Sequence, residues 1–85
     1  MMKSDARYGY SSALVELVNQ RDPDEVSTRF AKLCITQGIP ALEVAKHFSV
    51  SKVTVYAWFK GLSRPRPMHE EMMRTYLAKR KEGGA

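Results

Sequence analysis

An 85-residue chain has room for one small domain, and a single core of that size is marginal without extra support. The lone Cys34 excludes an internal disulfide, and no apolar stretch approaches the roughly 20 residues that span a bilayer. The net charge of +5 is unevenly placed: residues 46–85 carry nine Lys/Arg against three acids and residues 1–45 carry five against six, so the second half favours a polyanionic partner.

Residues 1–9 are polar and mixed, and read as an arm. Ser11 or Ser12 can cap a helix running to about Arg21, with Leu14, Leu17 and Val18 on one side and Val15 widening the stripe. Asn19 to Asp22 is a break. Asp22, Pro23 and Glu25 then read as an N-cap, a first helical position and a capping-box acid. Val26, Phe30, Leu33 and Cys34 follow at helical spacing, and Gly38 ends that helix by accepting a left-handed conformation. Pro40 opens a short helix through Phe48. Ser51 caps another through about Phe59, ended by Gly61. Leu62 to Pro67 is a basic, proline-punctuated connection. A last helix, from about Met68 to Lys81, places Met72, Met73, Tyr76 and Leu77 on one face, with Glu70 and Glu71 in its first turn and Arg80 and Lys81 in its last.

No alternating strand pattern of useful length exists, so the chain reads as all-α, a compact bundle of about five helices. Residues 1–21 form an arm and an additional helix, residues 22–81 the main domain, and residues 82–85 a flexible tail. One cysteine and no secretory hydrophobic run point to a reducing, cytoplasmic setting.

The segment Pro40–Lys60 has the pattern of two short helices joined by a tight turn. Leu42, Ala45 and Phe48 are expected to face inward from the first, with Ala45 small enough for close helix approach. Val50 plugs the core from the turn, and Val55 and Trp58 face inward together from the second helix. Ser51, Lys52, Val53, Tyr56, Ala57 and Lys60 are left on the outer side. Ser51 and Lys52 lie at the helix N-terminus, where the dipole favours phosphate. Lys52 can reach a guanine edge or a phosphate, Val53 a thymine methyl, and Tyr56 either kind of contact. Lys60 lies near the nucleic-acid backbone at the far end.

Residues from about Asp24 to Leu77 resemble the lambda-repressor/Cro-type (XRE-type) helix-turn-helix family, which includes many phage and bacterial regulators. That family has a small residue, a turn residue four later, a hydrophobe, a capping Ser and an aliphatic residue four beyond the cap. Ile or Trp, then Gly, then Pro follow. Here these are Ala45, Ser49, Val50, Ser51, Val55, Trp58, Gly61 and Pro65. Ser49 departs from the usual Gly, at a turn that wants positive φ, and serine there costs about 1 kcal/mol. The resemblance implies that Ser51–Lys60 is a recognition helix reading bases through Ser51, Lys52, Val53, Tyr56 and Ala57. It implies phosphate contacts from Lys46, Thr54, Lys60, Arg64 and Arg66.

No catalytic constellation emerges: His47 and His69 are far apart, Cys34 lies in an apolar stripe, and no glycine–lysine phosphate loop is present. No enzyme activity, cofactor or metal is expected. The leading expectation is a sequence-specific double-stranded-DNA-binding protein, a small phage or bacterial transcriptional regulator such as a repressor. A homodimer would bind half-sites about one helical turn apart. Two alternatives stand beside it. One is an architectural, recombination or packaging accessory factor. The other is a protein–protein adaptor using the Ser11–Arg21 helix or the Met72/Met73 face against host machinery.

Overall fold

A computed structural model describes residues 10–83, with side chains through Lys79. Among the described residues the elements are five helices: α1 (Ser12–Asn19), α2 (Val26–Gln37), α3 (Ala41–Phe48), α4 (Lys52–Lys60) and α5 (Pro67–Gly83). The predicted arm at 1–9 and the last two residues of the predicted tail lie outside the described residues. Among those described, no helix is long and apolar enough to cross a membrane.

Local chemistry explains most boundaries. The Ser11 side chain accepts the Leu14 amide at 3.1 Å and so caps α1. Gly38 ends α2 with φ 72°, and the Ile39 amide returns to the Cys34 carbonyl at 2.9 Å. Two starts differ from the predicted ones. Asp22 is not the cap of α2: its carboxylate accepts the Asp24 amide in a local turn, and the helix begins at Val26 after Glu25. Glu25 does not reach back to close a capping box either, because Arg21 holds its carboxylate at 2.6 Å. At the other end of the chain α5 begins at Pro67, whose fixed φ suits a first helical position, and it continues to Gly83, past the predicted end at Lys81.

The helices close around an aromatic chain drawn from α2, α3, α4, α5 and Tyr10 ahead of α1. Phe30 of α2 lies 5.3 Å from Phe48 of α3, 6.2 Å from Phe59 of α4 and 5.4 Å from Tyr76 of α5, ring centre to ring centre. Tyr10, just ahead of α1, meets Phe59 at 5.8 Å, and its hydroxyl donates to the Ile39 carbonyl at 2.7 Å. Tilted and edge-on contacts of this kind suit aromatic quadrupoles and add to the burial of large apolar area. Leu14 and Val18 bring α1 into the same core, where it packs on α2 and α4. Leu17, predicted on that stripe, is instead partly exposed. Among the described side chains of α5, Met73 and Leu77 are the buried apolar positions, His69 is buried beside Trp58, and Met72 and Tyr76 are partly covered.

Candidate nucleic-acid interface

The interface is built on α3, a three-residue turn and α4. In α3 the buried positions are Ala41, Val44, Ala45 and Phe48, the i, i+3, i+4, i+7 series of one helical face. Leu42 was expected inward but is 52% exposed. In an eight-residue helix that face is filled by Ala41 and Val44, and Leu42 falls one step, about 100°, outside it. Ser49 ends α3 in the left-handed region, φ 59° and ψ 44°, where the family resemblance expects glycine. The Val50 amide then bonds the Ala45 carbonyl at 3.0 Å, which folds the chain back and leaves Val50 half-buried against the core.

Ser51 begins α4. Its hydroxyl accepts the Thr54 amide at 3.2 Å and lies 3.1 Å from the Thr54 hydroxyl, so both hydroxyls are engaged at the helix start. Val55, Trp58 and Phe59 anchor α4 from one side and are almost wholly buried. The opposite side carries Lys52, Val53 and Lys60 into solvent. Val53 is 77% exposed, an apolar side chain next to Lys52 on the outer face. Tyr56 and Ala57 are half-buried. The Tyr56 ring meets Tyr10 edge-on at 6.3 Å, so the ring lies where the start of α1 meets α4.

The candidate phosphate ligands are distributed around this helix. Lys60 and Tyr56 share a shallow depression of about 260 Å³ with Ser11 and Leu14, which places the start of α1 beside the outer face of α4. Arg64 lines a different cleft, of about 420 Å³, together with Arg29, Arg74, Asp24 and Glu70. Lys46 and Arg66 are exposed. Among the described residues, none of Lys46, Lys52, Lys60, Arg64 and Arg66 is in an ion pair, whereas Glu70 and Glu71 reach Arg74 at 3.5 and 3.6 Å. Among the described residues, the positive charge around α4 is therefore not tied up in ion pairs, although Arg64 shares its cleft with Asp24 and Glu70.

Three important residues were missed by sequence reasoning. Tyr10 holds the staple position just before the Ser11 cap, a signal that could have found it. Phe59 extends the Val55 stripe by one helical turn, which the spacing already contained. Arg21 had no such signal, because a basic residue in a polar break reads as solvated surface. The surfaces named for an adaptor role are altered as well. Leu14, Val18 and Met73 are buried in the core. Met72 instead lines an open groove of about 980 Å³ with His47, Met68 and Tyr76. Among the described residues, no group of three or more His, Cys, Asp or Glu is placed to hold a metal. Searches against protein families, curated proteins and solved structures return no match for this chain.

Proposed function

We propose that this protein is a sequence-specific double-stranded-DNA-binding protein, a small transcriptional regulator of phage or bacterial type. In this reading α4 enters the major groove, and the protein acts as a homodimer in the cytoplasm of a bacterial or phage-infected cell. The observation that carries it is the division of α4: Val55, Trp58 and Phe59 lock one side into the core while Lys52, Val53 and Lys60 stand free on the other. A reading helix needs this rigidity, because base contacts require several side chains in register at once. The charge of Lys46, Lys60, Arg64 and Arg66, none of them in an ion pair among the described residues, supplies the sequence-independent attraction. The resemblance of residues 24–77 to lambda-repressor/Cro-type proteins supports the same reading. Two copies are proposed because one such motif offers a small footprint, and paired half-sites multiply it.

The test is selection of bound duplexes from a random-sequence library, followed by single substitutions on the selected site. A palindromic consensus is expected. Lys52→Ala should relax preference at one base position, whereas Arg64→Ala should weaken all sequences alike and reduce the salt slope by about 1. Absence of any enriched sequence, with binding that vanishes as salt rises, would overturn specific recognition.

A further inference from the structure

The last turn of a helix leaves backbone carbonyls without intrahelical partners. In α4 the following residues satisfy some of them: the Gly61 amide bonds the Trp58 carbonyl at 3.2 Å and the Leu62 amide bonds the Ala57 carbonyl at 2.9 Å. A side chain from elsewhere adds to them. Arg21, in the connection between α1 and α2, donates Nη1 to the Trp58 carbonyl at 2.8 Å and to the Phe59 carbonyl at 3.1 Å. Its Nη2 donates to Glu25 Oε1 at 2.6 Å and to Ser27 Oγ at 3.4 Å. The Arg21 side chain is only 14% exposed, so its bonds to the two carbonyls are partly shielded from competing water, whereas Glu25 is 41% exposed. A Cβ at Gly61 would lie 2.9 Å from Arg21 Nε, so the guanidinium is seated directly against that glycine.

A cap made by a helix's own following residues fixes only its own turn. Arg21 instead joins three elements: it leaves from the end of α1, is aimed by the start of α2, and grips the end of α4. A planar guanidinium, with several donors in fixed directions, can do this at once. We infer that Arg21 is a positioning residue, which sets the pose of α4 against the α1–α2 frame and the direction in which the Ser63–Arg66 segment departs. The inference rests on α4 being the DNA-reading helix. Specific binding needs Lys52, Val53 and Tyr56 in register, whereas non-specific binding needs only charge. Loss of Arg21 therefore lowers the first more than the second.

Arg21→Met and Arg21→Lys are to be compared with the parent on a selected duplex and on a random duplex of equal length, below each variant's melting transition. Amide hydrogen exchange is followed in parallel. Arg21→Met is expected to lose about tenfold in specific affinity and less than about threefold in non-specific affinity. Arg21→Lys should recover part of the loss, because its ammonium retains the charge but lacks the fork. Exchange should accelerate at Trp58–Leu62 while the α3 amides keep their protection. An unchanged ratio of specific to non-specific affinity, with unchanged protection at 58–62, would overturn the assignment. If the parent selects no duplex, the DNA reading fails by itself and exchange still decides: selective loss at 58–62 supports positioning, and uniform loss overturns it. Should Arg21→Met not fold, Glu25→Gln removes the carboxylate that aims the guanidinium, and a smaller loss with the same selectivity is expected, equal loss on both duplexes being the overturning result.

Discussion

Tyr10 shows how much one side chain can carry in a small domain. Its ring is buried against Phe59 and Tyr56, and its hydroxyl donates to the Ile39 carbonyl, tying the start of α1 to the segment between α2 and α3. Burial pushes the phenol above its ordinary value, with Cys34, Tyr56 and Tyr76 adding to the shift. The native state thus keeps a proton that the unfolded chain releases at about pH 10. Stability from this group is complete below that pH and falls as pH rises above it, because the unfolded state then binds fewer protons. Tyr10→Phe should cost about 1 kcal/mol at neutral pH, through the lost hydrogen bond and the orphaned carbonyl. The gap between parent and variant should narrow as pH rises beyond 10. Urea unfolding of both proteins at neutral and alkaline pH measures this, with lysine titration common to the two. A gap that stays constant would show that the phenol ionises equally in both states.

At the scale of elements, the turn between α3 and α4 carries backbone strain that a single residue could relieve. Ser49 sits at φ 59°, where an L side chain is disfavoured and glycine is not. Ser49→Gly should stabilise the protein by about 0.5–1 kcal/mol, net of the greater freedom of glycine in the unfolded chain. Thermal melting should rise by about 3–6 °C for a domain of this size, and calorimetry reads it directly. This conformation was legible in advance, as were the caps at Gly38, Ser51 and Gly61 and, as one of two candidate serines, Ser11, because each depends on chemistry within a few residues. Where a long-range partner intervenes, legibility fails. Asp22-Pro23-Asp24-Glu25 has the local form of a capping box, yet Glu25 is taken by Arg21, which is itself drawn to α4. The inward face of α3 was misread at Leu42 for a different reason: over eight residues, a phase error of one position exchanges which hydrophobe is buried. The candidate site was legible to a similar degree. Lys52, Val53 and Lys60 are exposed as their spacing required, whereas the contact between Tyr56 and Tyr10 depends on how α1 docks.

At the scale of the whole molecule, the question is whether α1 is an attachment or part of the fold. Sequence reasoning divided the chain at residues 21 and 22, because helix spacing and caps carry no information about which elements share a core. In the structure that boundary is bridged repeatedly. Tyr10, Leu14 and Val18 lie in the common core, α1 packs on both α2 and α4, and Arg21 closes the end of α4. Burying three such side chains stabilises a fold by on the order of 5 kcal/mol. That is comparable with the roughly 5–15 kcal/mol by which native domains are stable, and an 85-residue domain has no large margin. Removal of α1 would also expose Phe59 and free the carbonyls that Arg21 now satisfies. A fragment comprising residues 22–85 is therefore expected to lack a cooperative thermal transition and dispersed amide resonances, even though it retains the entire α3–turn–α4 segment. The full chain should show both. Circular dichroism melting and a two-dimensional amide spectrum of the fragment decide the matter. A cooperative transition within a few degrees of the full chain would make α1 a separable addition and confine the support of α4 to residues 22–85. Loss of the transition would mean that the surface presented by α4 exists only when all five helices are folded together.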